Sequence, residues 1–198
     1  MTIHLALARL PSAFVVAMFL MHSPGASAQQ QPTSPATPPA VVTHDPIGEE
    51  VTLPARTILY RNGNANWSEG WPRLVEAFQA VRAETDRLKL KVTGAPIVIY
   101  RSIDDEGFEF VAALPIETAP AEMPGPDFAI GPGPSGKTLK FVYRGAFDAM
   151  DAIYELIADF IESKRIEAEE EHIEEYVTDP LATKPDELVI AIYVPLKQ

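Results

Sequence analysis

One pattern constrains this chain more than any other, and it occurs twice: a strand signal, an amphipathic helix, then two further strand signals. In the first pass, VTLPARTILY (51–60) ends in a strand-like run. Trp71, Leu74, Val75, Phe78 and Val81 then recur at i, i+3, i+4, i+7 and i+10, the stripe of one helix face. Ser68 stands where an N-cap belongs, and Pro72 falls in the first turn, where proline is tolerated. PIVIYRS (96–102) and FEFVAAL (108–114) read as strands around an Asp104-Asp105-Glu106-Gly107 turn. In the second pass, TLKFVY (138–143) is the strand, and Met150, Ile153, Tyr154, Ile157 and Ile161 form the helix stripe, with Asp148 as its cap. HIEEYV (172–177) and LVIAIYV (188–194) close the unit.

Anchors line up between the passes: Tyr60-Arg61 with Tyr143-Arg144, Phe78 with Phe160, Tyr100 with Tyr176, Leu114-Pro115 with Val194-Pro195. The fold class expected is therefore α+β, with tandem duplicated βαββ modules about a pseudo-twofold; two unrelated βαββ units are the alternative. Each unit lays a helix on one face of an antiparallel sheet. Pairing two units leaves a groove between modules, a natural place for a ligand.

The ends read differently. Residues 1–28 combine Arg9, an apolar run LPSAFVVAMFLM (10–21) and Ala26-Ser27-Ala28, the pattern of a cleaved secretory signal peptide. The apolar run falls short of the roughly 20 residues of a membrane span, though a retained anchor is the competing reading. Residues 29–48 form a Pro/Gln-rich tether without apolar period. The folded part is then 49–198, divided into module 1 (49–118), a Pro/Gly-rich linker (119–136) and module 2 (137–198). This organisation implies a periplasmic or secreted protein.

A formal net charge of −12 would repel nucleic acid and anionic lipid headgroups. The expected partner is a small molecule, with no nucleic acid and no stable membrane insertion after cleavage; the oligomeric state stays open. The absence of cysteine excludes a thiol nucleophile, iron–sulfur clusters and Cys-based zinc sites. No cofactor and no metal are expected, because His44 and His172 are the only histidines beyond the leader. His172 reads as exposed and without function.

GPGPSGKT (131–138) fits the phosphate-loop pattern G-x-x-x-x-G-K-[ST] at every fixed position. Such a loop works only between a strand and a helix N-terminus, where backbone N–H groups cradle phosphates. Here it leads into a strand, and Pro132 and Pro134 remove two N–H groups. The segment reads as the hinge between modules, with Lys137 and Thr138 opening the second copy's first strand.

YRGAFDAMDAIYELIADFI (143–161), IEEYVTDP (173–180) and KPDELVIAIYVPLK (184–197) carry a resemblance. In that order they resemble the GyrI-like small-molecule-binding domain, also the effector-binding domain of many AraC-type and MerR-type bacterial regulators. The resemblance covers about residues 51–197, more loosely in the first half. It implies two βαββ modules about a pseudo-twofold and a groove for amphipathic, often cationic, aromatic compounds. It also implies a buried glutamate opening a Glu-x-Tyr motif, which falls on Glu174 and Tyr176. Nothing before Val51 reads as a DNA-binding helix pair, so transcriptional regulation is not carried over, and gyrase inhibition is not either.

The chemistry of Glu174 makes sense unaided. A carboxylate in an apolar pocket is costly unless it is neutral or meets a cation. Aromatic walls favour flat cations through stacking and cation–π attraction. Period two puts Glu174 and Tyr176 on one face and Glu175 on the other. Against this, the run EAEEEHIEE (167–175) is of the kind that usually marks a solvated face. The ligand-binding set expected is Glu174, Tyr176, Tyr143, Phe147, Tyr100 and Tyr193. Tyr60, Trp67, Trp71 and Tyr154 are further aromatic candidates, Trp71 and Tyr154 fitting ordinary core better. The leading function is an exported binding protein for amphipathic, cationic or aromatic ligands. The alternatives are a hydrolase of electrophilic small molecules, with Glu174 activating water, and a protein-interaction module.

Overall fold

The computed structural model describes residues 47–197. The signal peptide and most of the tether expected from the sequence lie outside the described residues. Eight strands form one antiparallel sheet: β1 (Glu49–Leu53), β2 (Thr57–Asn66), β3 (Ile97–Ile103), β4 (Gly107–Ile116), β5 (Ala129–Pro132), β6 (Gly136–Gly145), β7 (His172–Tyr176) and β8 (Leu188–Pro195). Two helices, α1 (Gly70–Arg87) and α2 (Asp151–Lys164), follow β2 and β6, each entered through a short 3-10 turn, Trp67–Glu69 and Phe147–Ala149.

The strand order is β1-β6-β8-β7-β3-β4-β2-β5. It has the same connectivity outward from the β7/β3 seam in both directions, β7-β8-β6 on one side and β3-β4-β2 on the other. Each outermost strand comes from the opposite half of the sequence: β1 pairs with β6, and β5 pairs with β2. Across the seam Val98 lies opposite Glu174, and Tyr100 opposite His172.

Period-two alternation gives the sheet two apolar faces. Val98, Phe110, Phe141, Ile190 and Ile192 pack with Leu74, Phe78 and Ile157 of the helices. Leu74 and Ile157 are 0% and 1% exposed, and full burial of such a side chain contributes about 1.5–3 kcal/mol. The other face carries Ile58, Ile97, Ile99, Val111 and Ile173.

Several sequence expectations change. The run 51–60 holds the end of β1 and the start of β2, separated by Pro54, Ala55 and Arg56, which belong to neither strand. The 119–136 linker contains β5, which covers the edge of β2 that would otherwise leave backbone groups unpaired. Ser68 does not cap α1; Asn66 accepts from the Glu69 N–H at 2.9 Å, and the Ser68 hydroxyl donates to Asn66 Oδ1 at 2.8 Å. Asp148 makes no cap bond either. Tyr60 and Tyr143, matched in the sequence, face opposite ways: Tyr60 packs on the helix-free face and Tyr143 on the helix side. GPGPSGKT runs from the end of β5 into β6, strand to strand, with Gly136 at φ 105°. The strand-to-helix order of a phosphate loop is absent there.

Candidate functional site

The HIEEY sequence of β7 alternates across the sheet. Ile173 joins the apolar helix-free face, and Glu175 meets Arg56 Nη1 at 3.1 Å on that side. Glu174 is therefore turned under the helices, where it is 1% exposed. Its ladder neighbours are Val98 on β3 and Ile192 on β8, so no polar strand residue lies directly beside it. Three phenols supply what the strands do not. Tyr154 of α2 donates to Oε1 at 2.5 Å, while Tyr176 and Tyr100 donate to Oε2 at 2.8 and 3.0 Å.

Burial pushes the Glu174 carboxyl above the ordinary carboxylate range, and the three phenol bonds pull it back only in part. Burial and the facing carboxylate push all three phenols well above their usual value, so they remain donors. No cationic side chain bonds to Glu174 among the described residues.

Glu174 and Tyr100 form part of the floor of a cavity of about 620 Å³ over the β3/β7 seam. Phe147, Met150 and Tyr154 supply one wall. Trp67 stands opposite at the mouth, 51% exposed, its indole N–H donating to the Asp104 carbonyl at 2.9 Å and its ring 5.2 Å from Phe108. Both 3-10 turns thus deliver an aromatic ring to the cavity.

The sequence profile of the GyrI-like small molecule binding domain matches residues 49–197. The chain belongs to the GyrI-like family. No curated protein matches it. Similar solved structures include EcmrR in its complex with DNA (TM-score 0.65, 9% identity), aligned over 76% of this chain and 57% of EcmrR. A hydrolase from Listeria innocua follows (TM-score 0.57, 12% identity; 76% and 92% covered). SAV2435 bound to tetraphenylphosphonium is also similar (TM-score 0.52, 15% identity; 76% and 93% covered). At these identities the likeness is one of fold. This chain spans little more than half the length of EcmrR.

Of the residues expected from the sequence, the GyrI-like domain brings Glu174, Tyr100 and Phe147 to the cavity and sets Tyr176 behind Glu174. Tyr143 and Tyr193 are not part of the cavity lining. Tyr143 donates to the Ala146 carbonyl at 2.6 Å. Tyr193 has the opposite strand parity and donates to Glu175 at 3.0 Å on the helix-free face. Trp71 stacks behind, 5.5 Å from Phe147 and 6.2 Å from Tyr176.

Two further residues line the cavity. Tyr154 packs against the helix-side core as its stripe position implies, and its hydroxyl also completes the carboxylate's shell; a phenol among aliphatic stripe residues is the available signal, since a buried hydroxyl needs a partner. His172 is half-buried in the lining, edge-on to Tyr154 at 5.6 Å. Burial lowers its pKa, which favours the neutral ring. It shares the parity of Glu174, which the sequence pattern already contained.

Proposed function

We propose that this GyrI-like domain binds amphipathic small molecules with a positive charge and an aromatic or apolar body, and that Glu174 is their buried charge partner. The observation that carries this reading is a carboxylate at the floor of an aromatic cavity with no cationic side chain bonded to it. Leaving such a group ionised costs several kcal/mol unless a charge or strong hydrogen bonds compensate. A ligand cation supplies the missing charge, and Tyr100, Phe147, Tyr154 and Trp67 offer ring faces for its apolar body. The tetraphenylphosphonium held by SAV2435, a protein of similar fold, has this chemistry. The leader-like sequence of the first 28 residues supports a reading in which this binding takes place outside the cytoplasm, with sequestration, sensing or delivery of the ligand as the role.

The test is calorimetric titration of the full chain and of Glu174→Gln with tetraphenylphosphonium and aromatic cationic dyes. Binding should be micromolar or tighter for the native chain and at least tenfold weaker for the variant, about 1.4 kcal/mol. Equal affinities would refute charge recognition.

A second reading, hydrolysis of an electrophilic ligand by water activated at Glu174, draws on the carboxyl's raised pKa, which suits a general base. Three phenols already fill most of its acceptor positions, which favours the binding reading. Turnover of an epoxide probe, lost in Glu174→Gln, would promote the enzyme.

A further inference from the structure

Asp148 and Asp151 flank the mouth of the same cavity. Both are exposed, and among the described residues neither carboxylate has a hydrogen-bond or ion-pair partner. Neither caps the helix it introduces. Their spacing is specific. Asp148 lies in the 3-10 turn, Asp151 opens α2, and Tyr154 follows one turn later, so the three share one helix face at i, i+3 and i+6. The Tyr154 hydroxyl then reaches Glu174. Negative charge is thus present at both ends of one apolar passage, unpaired at the mouth and buried at the floor, with Phe147 and Met150 on the wall between.

We propose that the preferred ligands of this cavity are dications: molecules with two positive groups joined by an aromatic or alkyl spacer. One group is held at Glu174 and the other at Asp148 and Asp151. This rests on the proposed cation-binding reading and adds to it a second charge, a direction and a length. A monocation satisfies the floor alone and leaves the mouth aspartates hydrated. The second charge gains from the mouth carboxylates because it is held within a Debye length of them, about 8 Å at physiological salt.

The experiment uses the full chain and two matched probe sets: bis-quinolinium compounds with alkyl spacers of increasing length, and mono-quinolinium compounds whose chain ends in a neutral methyl. Titration should give an optimum spacer at which the dication binds about tenfold more tightly than its monocationic partner. Asp148→Asn with Asp151→Asn should bring that dication to the monocation's level and weaken the dication far more than the monocation. Asp159→Asn with Glu162→Gln removes two exposed charges from the same helix away from the cavity, and should leave the preference intact.

An equal loss in the control pair would assign the preference to the chain's overall negative field and overturn the proposal. So would the absence of an optimum spacer. Glu174→Gln should weaken both probe sets. If it weakens neither, the cation-binding reading itself fails, an outcome distinct from failure of the dication step, in which monocations still depend on Glu174.

Discussion

Tyr154 and Glu174 lie on different elements, a helix and a strand, and the phenol of one meets the carboxylate of the other at 2.5 Å. This bond fixes how α2 sits over the seam, because Tyr100 and Tyr176 reach the same carboxylate from the sheet itself. The carboxylate is thus both part of the cavity floor and a clasp between layers.

Tyr154→Phe removes that clasp while keeping the ring. A hydrogen bond to a charged group contributes about 1.5–3 kcal/mol. The variant should unfold at lower urea concentration by that order, with an unchanged denaturant slope. Chemical denaturation followed by fluorescence reads this directly, and a loss below about 0.5 kcal/mol would contradict a bond of this strength.

Acid behaviour separates Glu174 from the rest of the chain. Burial raises its folded pKa, so its contribution to stability is complete below about 4.5 and is lost as pH rises through the raised value. His172 has the opposite sign: burial lowers its pKa, so its contribution is present above about 6.5 and is lost as pH falls through the lowered value. The wild-type melting curve minus that of Glu174→Gln should therefore decline from about pH 4.5 upward, and a saturating cation should flatten it. A difference independent of pH would contradict the raised pKa.

Trp67 is tied to the Asp104 carbonyl yet half in solvent, so it contributes little to the core. Trp67→Ala should lower affinity for aromatic cations by about 1–2 kcal/mol, as cation–π contacts do, with a small change in melting temperature. Titration with an alkylammonium of equal charge should show a smaller loss.

Gly107 opens β4 opposite Asn66 in a tight turn, and a Cβ there would come within 2.1 Å of the Ala65 carbonyl oxygen. Gly107→Ala must displace the end of β2, the strand that leads into Trp67. We expect destabilisation of about 1–3 kcal/mol, as overpacking typically costs, together with weaker ligand binding. Serine at 107 should match alanine, since the first added carbon is what collides.

The periodicities made the helices and most strands legible: stripes at 71–81 and 150–161 became α1 and α2, each longer than its stripe. Strand parity made it legible that Glu174 and Glu175 take opposite faces; that Glu174 is the one turned inward was implied by the resemblance, through its Glu-x-Tyr motif. β5 was not, since four residues ending at Pro132 carry no alternating pattern, and only the open edge of β2 gives them a partner. Tyr193 was misplaced because nothing local announces which face of β8 meets the helices. Asp148 stands where a cap belongs in the chain, yet it makes no cap bond, and its carboxylate flanks the cavity without a partner among the described residues.

The crossed edge strands decide how the chain comes apart. β1 is seated against β6 and β5 against β2, so each half of the sequence carries a border of the other. A single cut in the stretch between β4 and β5 would sever the chain and leave both borders paired, with β3 and β7 still laddered beneath the cavity. Two peptides divided there, mixed after denaturation, would have to find each other before either could finish its own sheet. Ligand capture by the mixture would then report reassembly, because neither peptide alone contains both Tyr100 and Glu174.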